Sequence, residues 1–173
     1  MSSEISQVMS GSGKDFPDWE ILYKSQKIET MPWYNENFDS DLEKELGERK
    51  IVTDGKFLDL GTGPATQAIW LAKMGFKVIG SDLSEAAINR ARKIYANEKN
   101  VNFIVDDILN SKLKDNEFEY ILDRGCFHVL LPADRKKYMS KIKQILKDNG
   151  ILFLKCFSNK EPRMEGPYKF WFI

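Results

Sequence analysis

The chain has 173 residues, of which 42% are hydrophobic and 30% charged. This length and apolar content suit one folded domain and exclude a chain that is disordered throughout. The 26 Lys and Arg residues are balanced by 26 Asp and Glu residues. A zero net charge argues against a nucleic-acid partner, because neutralising many phosphates requires a basic surplus.

The sequence carries no sign of export, membrane insertion or metal binding. Residues 1–15 lack the basic start and apolar run of a secretory signal, so we expect a flexible tail. No apolar run approaches the roughly 20 residues that cross a bilayer. Cys126 and Cys156 fit neither a disulfide framework nor a metal or redox motif, and there is one histidine. We expect a cytoplasmic protein without metal, and the sequence gives no indication of its oligomeric state.

Two short helices, around residues 19–23 and 39–46, are predicted before a regular pattern begins at Lys56. From there, apolar runs of strand length alternate with amphipathic stretches of helical period, which predicts an α/β fold with a parallel sheet. The predicted strands cover residues 57–60, 76–80, 101–105, 118–122 and 151–157, and the helices cover 64–74, 84–95 and 132–147. The last strand is apolar throughout, which is typical of a strand covered on both faces.

The strongest functional signal is the segment FLDLGTGPATQA, in which the first strand runs into Gly61-Thr62-Gly63 and then a helix. Glycine has no Cβ, so a ligand can approach the backbone at the start of that helix. Nineteen residues after Gly63, the second strand ends at Asp82, whose carboxylate can accept hydrogen bonds from two ribose hydroxyls. This order of elements predicts a nucleoside-binding site.

Two cofactor classes use such a site, the dinucleotides and S-adenosylmethionine. The dinucleotide fingerprint has a third glycine where this chain has Thr66, which disfavours NAD.

With these motifs, the chain resembles the class I S-adenosylmethionine-dependent methyltransferases over about residues 30–170. The resemblance implies a Rossmann-like, doubly wound, mainly parallel sheet with helices on both faces, and S-adenosylmethionine as cofactor. It assigns the cofactor's methionine part to the glycine loop, its ribose to the acid after the second strand, and its adenine to residues after the second and third strands. The cofactor-binding residues predicted in this way are Asp59, Gly61, Thr62, Gly63, Asp82, Leu83, Asp107, Ile108 and Asp123, with Asp106 as the alternative to Asp107.

A narrower resemblance lies in YILDRGCFHVLLPADRKKY, which is similar to the thiopurine and tellurite-resistance branch of that family. In that branch a strand ends in Asp-Arg-Gly, and a Pro-x-x-Arg-x-x-Tyr helix follows. Residues 165–168 resemble the branch's Gly-Pro loop near the acceptor. Trp33 matches an N-terminal aromatic residue that closes over the cofactor, although a core position explains it equally well.

Methyl transfer depends mainly on positioning and on desolvation, so no catalytic triad is required. Arg124, whose counterpart in that branch lies near the substrate, is predicted to stabilise an anionic acceptor such as a thiolate; the alternative is an ion pair with Asp123. His128 is predicted to act as a base near neutral pH; the alternative is a packed residue without a catalytic role.

These observations predict a tail at 1–15, an N-terminal helical lid segment at 16–50 and a cofactor-binding core at 51–173. The family fold has two further strands after the fifth, so we expect either that C-terminal strands are missing or that a partner chain completes the sheet. The predicted function is methylation of a small-molecule acceptor, at sulfur or another soft heteroatom. The alternatives are a non-catalytic nucleoside-binding module and an NAD-dependent oxidoreductase, and a protein acceptor stays open.

Overall fold

A computed structural model describes residues 18–157 of the chain. Its centre is one sheet of five parallel strands in the order β3-β2-β1-β4-β5. The predicted tail at 1–15 and the Gly-Pro loop at 165–168 lie outside the described residues. The strands are β1 (Lys56–Leu60), β2 (Lys77–Asp82), β3 (Val101–Val105), β4 (Phe118–Arg124) and β5 (Leu146–Lys155).

In the part of the chain that the structure describes, five α-helices accompany the strands: α1 (Trp19–Ser25), α2 (Ser40–Glu48), α3 (Thr66–Lys73), α4 (Glu85–Ile94) and α5 (Pro132–Ile145). Polar residues cap the starts of three of these helices, because a side-chain oxygen can accept a hydrogen bond from a backbone N–H group that has no partner within the helix. The predicted cap Ser84 is confirmed, since its hydroxyl accepts from the Ala87 N–H at 3.1 Å. Asp18 and Asp39 cap α1 and α2 in the same way.

Each face of the sheet is buried against helices. On one face, Phe57, Leu122 and Phe153 pack with apolar residues of α2, α3 and α4. On the other face, Leu58 and Ile121 pack against α5. Burying one apolar side chain of this size contributes about 1.5–3 kcal/mol to the stability of the folded state. The two cores confirm the predicted doubly wound α/β fold.

Two predicted boundaries were wrong for reasons of backbone geometry. Helix α3 begins at Thr66 rather than at residue 64, because Ala65 (φ 64°) and Gly63 (φ 47°) adopt left-handed conformations. Helix α5 ends at Ile145, and β5 starts at once. The pairing of β4 with β5 then shifts across residues 147–150, where Asn149 has a φ of 62°.

Strand β5 also differs from the prediction of a strand covered on both faces. Among its residues, only Phe153 is buried, and β5 is the edge strand of the sheet formed by the described residues. Within residues 18–157, none of the helices has the length and apolar character needed to cross a membrane.

Candidate active site

The loops that follow four strands meet at one edge of the sheet, because the strands are parallel. The register pairs Leu60 of β1 with Ser81 on one side and with Asp123 on the other, and it pairs Asp82 with Val105. The chain moves from β1 to β2 in one direction and later crosses to β4 in the other. The crevice between β1 and β4 is therefore a topological switch point, where α/β folds bind their ligands.

The glycine loop after β1 has a conformation and surroundings that favour glycine. Gly61 (φ 69°) and Gly63 (φ 47°) both lie in the left-handed region. A Cβ at Gly63 would collide with the hydroxyl of Tyr23, and one at Gly61 would meet the Cβ of Cys126 at 3.3 Å. The Thr62 N–H donates to the Ser81 carbonyl at 2.8 Å, which fastens the loop to β2.

Asp82 connects this loop to the end of β2. It is 9% exposed, one of its carboxylate oxygens accepts from the Gly63 N–H at 2.9 Å, and the other accepts from the Ser84 N–H at 2.9 Å. Burial raises the pKa of Asp82 above its ordinary value. A carboxylate has about four acceptor sites, so both oxygens keep capacity for ribose hydroxyls.

Buried acids give this edge of the sheet a negative character. Asp59 accepts a hydrogen bond from the Thr62 hydroxyl at 2.6 Å, and burial raises the pKa of Asp59 to about 6. Burial likewise raises the pKa of Asp123. Beside them, the pKa of the Cys126 thiol is raised well above its ordinary value, first by burial and then by the charges of Asp123 and Asp82. The electrostatic field at this edge of the sheet therefore favours cations and disfavours anions.

The residues predicted for the adenine differ in how accessible they are. Leu83 follows Asp82 and is 58% exposed, so its side chain is accessible to a ligand, as the predicted contact with adenine requires. Asp107 accepts from the Leu109 N–H at 2.9 Å and from the Asn110 side chain at 2.7 Å. The Oδ2 of Asp106 is closed to solvent and makes no hydrogen bond within residues 18–157. Ile108 is 5% exposed and packs in the core, so its side chain does not form the predicted apolar wall.

The N-terminal residues lie across this edge. The Trp33 indole N–H donates to the Tyr23 hydroxyl at 3.3 Å, and its ring meets the ring of Trp19 edge-on at 5.7 Å. Glu20 accepts from the Ser84 hydroxyl at 2.7 Å and from the Ala86 N–H at 2.9 Å, and these bonds lower its pKa to about 2. Sequence reasoning missed Glu20 and Tyr23, because nothing in their local pattern indicates contacts to residues 40 or more positions away.

Arg124 is held by the N-terminal segment. Its Nε donates to Asp39 at 3.0 Å, and its Nη1 donates to the Trp33 carbonyl at 3.5 Å. The same Asp39 oxygen accepts from Lys155 at 2.8 Å. The ion-pair partner of Arg124 is thus Asp39, and not Asp123 as the alternative prediction had it. Asp39 was missed as a site residue, although its helix-cap position is visible in the sequence.

Asp123 and His128 also differ from their predicted roles. Asp123 is fully buried, and its carboxylate accepts from the N–H groups of residues 125–127 and from Tyr138, all within the protein. It therefore supports the turn after β4 and does not face a ligand. Burial and the nearby Arg135 lower the pKa of His128 to about 4, so this imidazole is neutral at pH 7 and a weak base. No cluster of three or more possible metal ligands occurs within the described range 18–157.

Comparison with known proteins identifies the family. Residues 57–150 match the methyltransferase domain family. An uncharacterised methyltransferase of Schizosaccharomyces pombe is 35% identical over 66% of this chain and 77% of its own length. The human EEF1A lysine methyltransferase 2 is 32% identical over 83% of this chain and 68% of its own length. The 2-heptyl-1-hydroxyquinolin-4(1H)-one methyltransferase of Mycobacteroides abscessus is 30% identical over 87% of this chain and 69% of its own length.

This chain belongs to the methyltransferase domain family. The crystal structure of the PH0226 protein from Pyrococcus horikoshii has a TM-score of 0.59 and 25% identity, over 72% of this chain and 62% of that one. The chain therefore spans less than two thirds of that solved structure.

S-adenosylmethionine is the cofactor of this methyltransferase. The residues present fit it. Both carboxylate oxygens of Asp82 keep acceptor capacity that ribose hydroxyls could use, and the buried acids suit a cationic ligand.

Proposed function

We propose that this protein transfers the methyl group of S-adenosylmethionine to a heteroatom of a small molecule. The observation that carries the proposal is the course of the N-terminal segment. Tyr23 lies against Gly63, and the Trp33 carbonyl accepts a hydrogen bond from Arg124. The segment therefore passes over the ends of β1 and β4. Such a cover narrows the approach to the crevice and suits a compact acceptor. The similarity to the Mycobacteroides abscessus enzyme, whose name gives a quinolone as substrate, supports it.

The residues of the chain contribute binding, orientation and the exclusion of water. Bound S-adenosylmethionine supplies a methyl group on a cationic sulfur, which a lone pair of the acceptor displaces. Asp82 would accept the ribose hydroxyls, while Gly61 and Gly63 let the backbone approach the ligand. Trp33 and Tyr23 would keep water from the crevice.

The N-terminal segment, residues 16–50, is proposed to serve as the lid of this site. Several polar connections hold its described part closed, and two of them are made by carboxylates. Glu20 joins α1 to the start of α4, and Asp39 joins the start of α2 to β4 and β5. Exchange of cofactor and product would then require that at least one of these connections opens.

The acceptor atom is proposed to be sulfur or another soft heteroatom that arrives without a negative charge. Its lone pair would bond to the methyl carbon as the bond from that carbon to the cofactor's sulfur breaks, and any proton on the acceptor would be lost from the methylated product to solvent. Arg124 and Lys155 are already paired with Asp39 and Asp41, so a thiolate would depend on the bound sulfonium for stabilisation. The pKa of Cys126 is raised by burial and by the charges of Asp123 and Asp82, and the same two charges would disfavour a thiolate acceptor beside the glycine loop. His128 would contribute little to deprotonation, since its pKa is about 4.

Methylation of a protein lysine is the second candidate. The human relative, named as a lysine methyltransferase, is 32% identical to this chain across 83% of its residues. The buried acids at the strand ends would also attract a lysine side chain. An NAD-dependent reaction has no support of this kind.

A methyl-transfer assay with the full chain tests both candidates. S-adenosylmethionine labelled in its methyl group is incubated with an aromatic hydroxyquinolone, a thioether, a thiol and elongation factor 1A, and the products are identified by mass spectrometry. Asp82→Ala is the negative control. Methylation of a small molecule is the expected result, and methylation of the protein alone would replace our proposal by the second candidate. Tight cofactor binding without any transfer would favour the non-catalytic module.

A cytoplasmic location is proposed as well. Its support is that Cys126 and Cys156 are both free thiols, as is usual in a reducing compartment. Fractionation of the source cells tests this location. Detection of the protein in the membrane fraction or the exported fraction would contradict it.

A further inference from the structure

A buried carboxylate organises the turn that follows β4. Asp123 is 0% exposed. Its Oδ1 accepts from the N–H groups of Gly125 at 3.0 Å and Cys126 at 2.7 Å, and its Oδ2 accepts from the Phe127 N–H at 3.0 Å. Three consecutive backbone donors therefore converge on one side chain, which fixes the path of the chain from Gly125 to Phe127.

Tyr138 of α5 supplies the fourth donor. It is 0% exposed, and its hydroxyl donates to Asp123 Oδ2 at 2.6 Å, a length typical of a hydrogen bond to an ionised acceptor. Its ring also lies 5.3 Å from the ring of Phe127. One residue of the helix thus contacts both the carboxylate and the turn that the carboxylate holds.

This turn forms a wall of the cofactor crevice. The Cβ of Cys126 lies 3.3 Å from the position that a Cβ on Gly61 would occupy. Gly125 has a φ of 119°, so the backbone reverses sharply between Asp123 and Cys126. A shift of the turn would therefore move directly against the glycine loop on the other side of the crevice.

A buried carboxylate is costly unless every acceptor site is satisfied, and a fully satisfied network selects one arrangement of the chain. An apolar residue at position 123 would pack without that cost, but it would leave the N–H groups of residues 125–127 unpaired. The arrangement is thus suited to fixing a geometry.

We infer that Asp123 and Tyr138 are positioning residues for methyl transfer: their hydrogen bond holds the turn at 125–127 against Gly61 and so sets the geometry between the cofactor's methyl group and the acceptor. The inference rests on the proposed function. Neither side chain reaches the crevice, so both act through the turn.

The test is Tyr138→Phe in the full chain, which keeps the ring and removes the donor. Tyr120→Phe is the matched control, because Tyr120 lies on β4 and packs with Phe57 and Phe153 in the core on the other face of the sheet from Tyr138. Amide hydrogen exchange is followed by NMR at residues 125–127 and, as internal references, at Gly63 and Ser84, whose N–H groups bond to Asp82.

In Tyr138→Phe, we expect exchange at 125–127 to be about tenfold faster, with the reference amides unchanged. With an acceptor found in the methyl-transfer assay, kcat should fall about tenfold while KM for S-adenosylmethionine stays within about twofold. Tyr120→Phe should change neither. Unchanged exchange at 125–127 would overturn the inference. So would exchange that rises equally at all amides, or a KM that rises while kcat is constant, because these indicate a purely structural role.

Failure of the proposed function gives a different result. A wild-type chain that binds cofactor and methylates nothing would refute the proposed function, while the exchange experiment, which needs no acceptor, would still decide whether Tyr138 fixes the turn.

Discussion

Replacing Asp59 by Asn should change how the stability of this protein depends on pH. Asp59 is 3% exposed, and burial raises its pKa from the ordinary 3.8 to about 6. A carboxyl group with a raised pKa in the folded state binds its proton more tightly there than in the unfolded chain. The stabilisation is therefore fully present below pH 3.8 and is lost as the pH rises through about 6.

The magnitude follows from the two pKa values. Each pH unit between 3.8 and about 6 corresponds to about 1.4 kcal/mol, so the loss amounts to about 3 kcal/mol. Asn has the shape of the protonated acid and can accept the same Thr62 hydroxyl, which Asp59 accepts at 2.6 Å. Relative to Asp59→Asn, the wild-type protein should therefore lose about 3 kcal/mol of unfolding free energy between about pH 4 and about pH 7.

Urea unfolding at a series of pH values, followed by tryptophan fluorescence, measures this difference. Taking the difference between the two proteins cancels the titration of the other carboxylates. Asp115→Asn, at an exposed position before β4, is the control for removing one acid. Two stability curves that stay parallel across the range, or a difference that grows in the opposite direction, would refute the reasoning.

The same titration should affect the cofactor. Asp59 precedes the glycine loop, so its negative charge, once formed, favours the cationic S-adenosylmethionine. Affinity should rise between about pH 5 and about pH 7 in the wild type and rise less in Asp59→Asn, where Asp82 is still present with its raised pKa. An identical pH dependence in both proteins, measured by calorimetry, would separate Asp59 from the binding site.

Three further substitutions probe the site. Gly61→Val should abolish cofactor binding more than it lowers the melting temperature, because the branched side chain would enter the crevice beside Cys126; equal losses of both would leave Gly61 as a turn residue only. Arg124→Ala should loosen the N-terminal segment, costing about 1–3 kcal/mol of stability and weakening cofactor binding. Full cofactor affinity with reduced turnover of a thiol would instead restore its predicted role at the acceptor. Asp107→Ala should weaken S-adenosylmethionine binding more than Asp106→Ala does, since the Oδ2 of Asp106 is closed to solvent; the reverse order in calorimetry would exchange their roles.

Local patterns in the sequence predicted the centre of the fold correctly. Strand β3 has the predicted bounds, and Ser84 caps α4 as its type and position indicate. The boundaries that failed depend on backbone features with a weaker signal. The left-handed Ala65 delays α3, and Asn149-Gly150, which follows the predicted helix 132–147, lies within the irregular start of β5.

The contact of Gly61, Gly63 and Asp82 with the cofactor stays a prediction, but their placement at one edge of the sheet was predictable, because each lies at or just after the end of a strand. Side-chain pairing across long separations in sequence was not. Arg124 and Asp39 are 85 residues apart, and local periodicity carries no information about such a pair. The burial of Asp123 was also not predictable from the sequence. Its position at a strand end suggested a ligand contact, whereas its carboxylate forms hydrogen bonds inside the protein.

Calorimetric titration of the full chain with S-adenosylmethionine and, separately, with NAD tests the central claim most directly. The wild type should bind S-adenosylmethionine and not NAD. Asp82→Ala should lose about 1.5–3 kcal/mol of binding free energy, the worth of hydrogen bonds to a charged group. Ser84→Ala, which removes the cap of α4 and leaves the Asp82 carboxylate in place, should keep most of the affinity. Binding of NAD at the same site, or an affinity for S-adenosylmethionine that is unchanged in Asp82→Ala, would contradict the account.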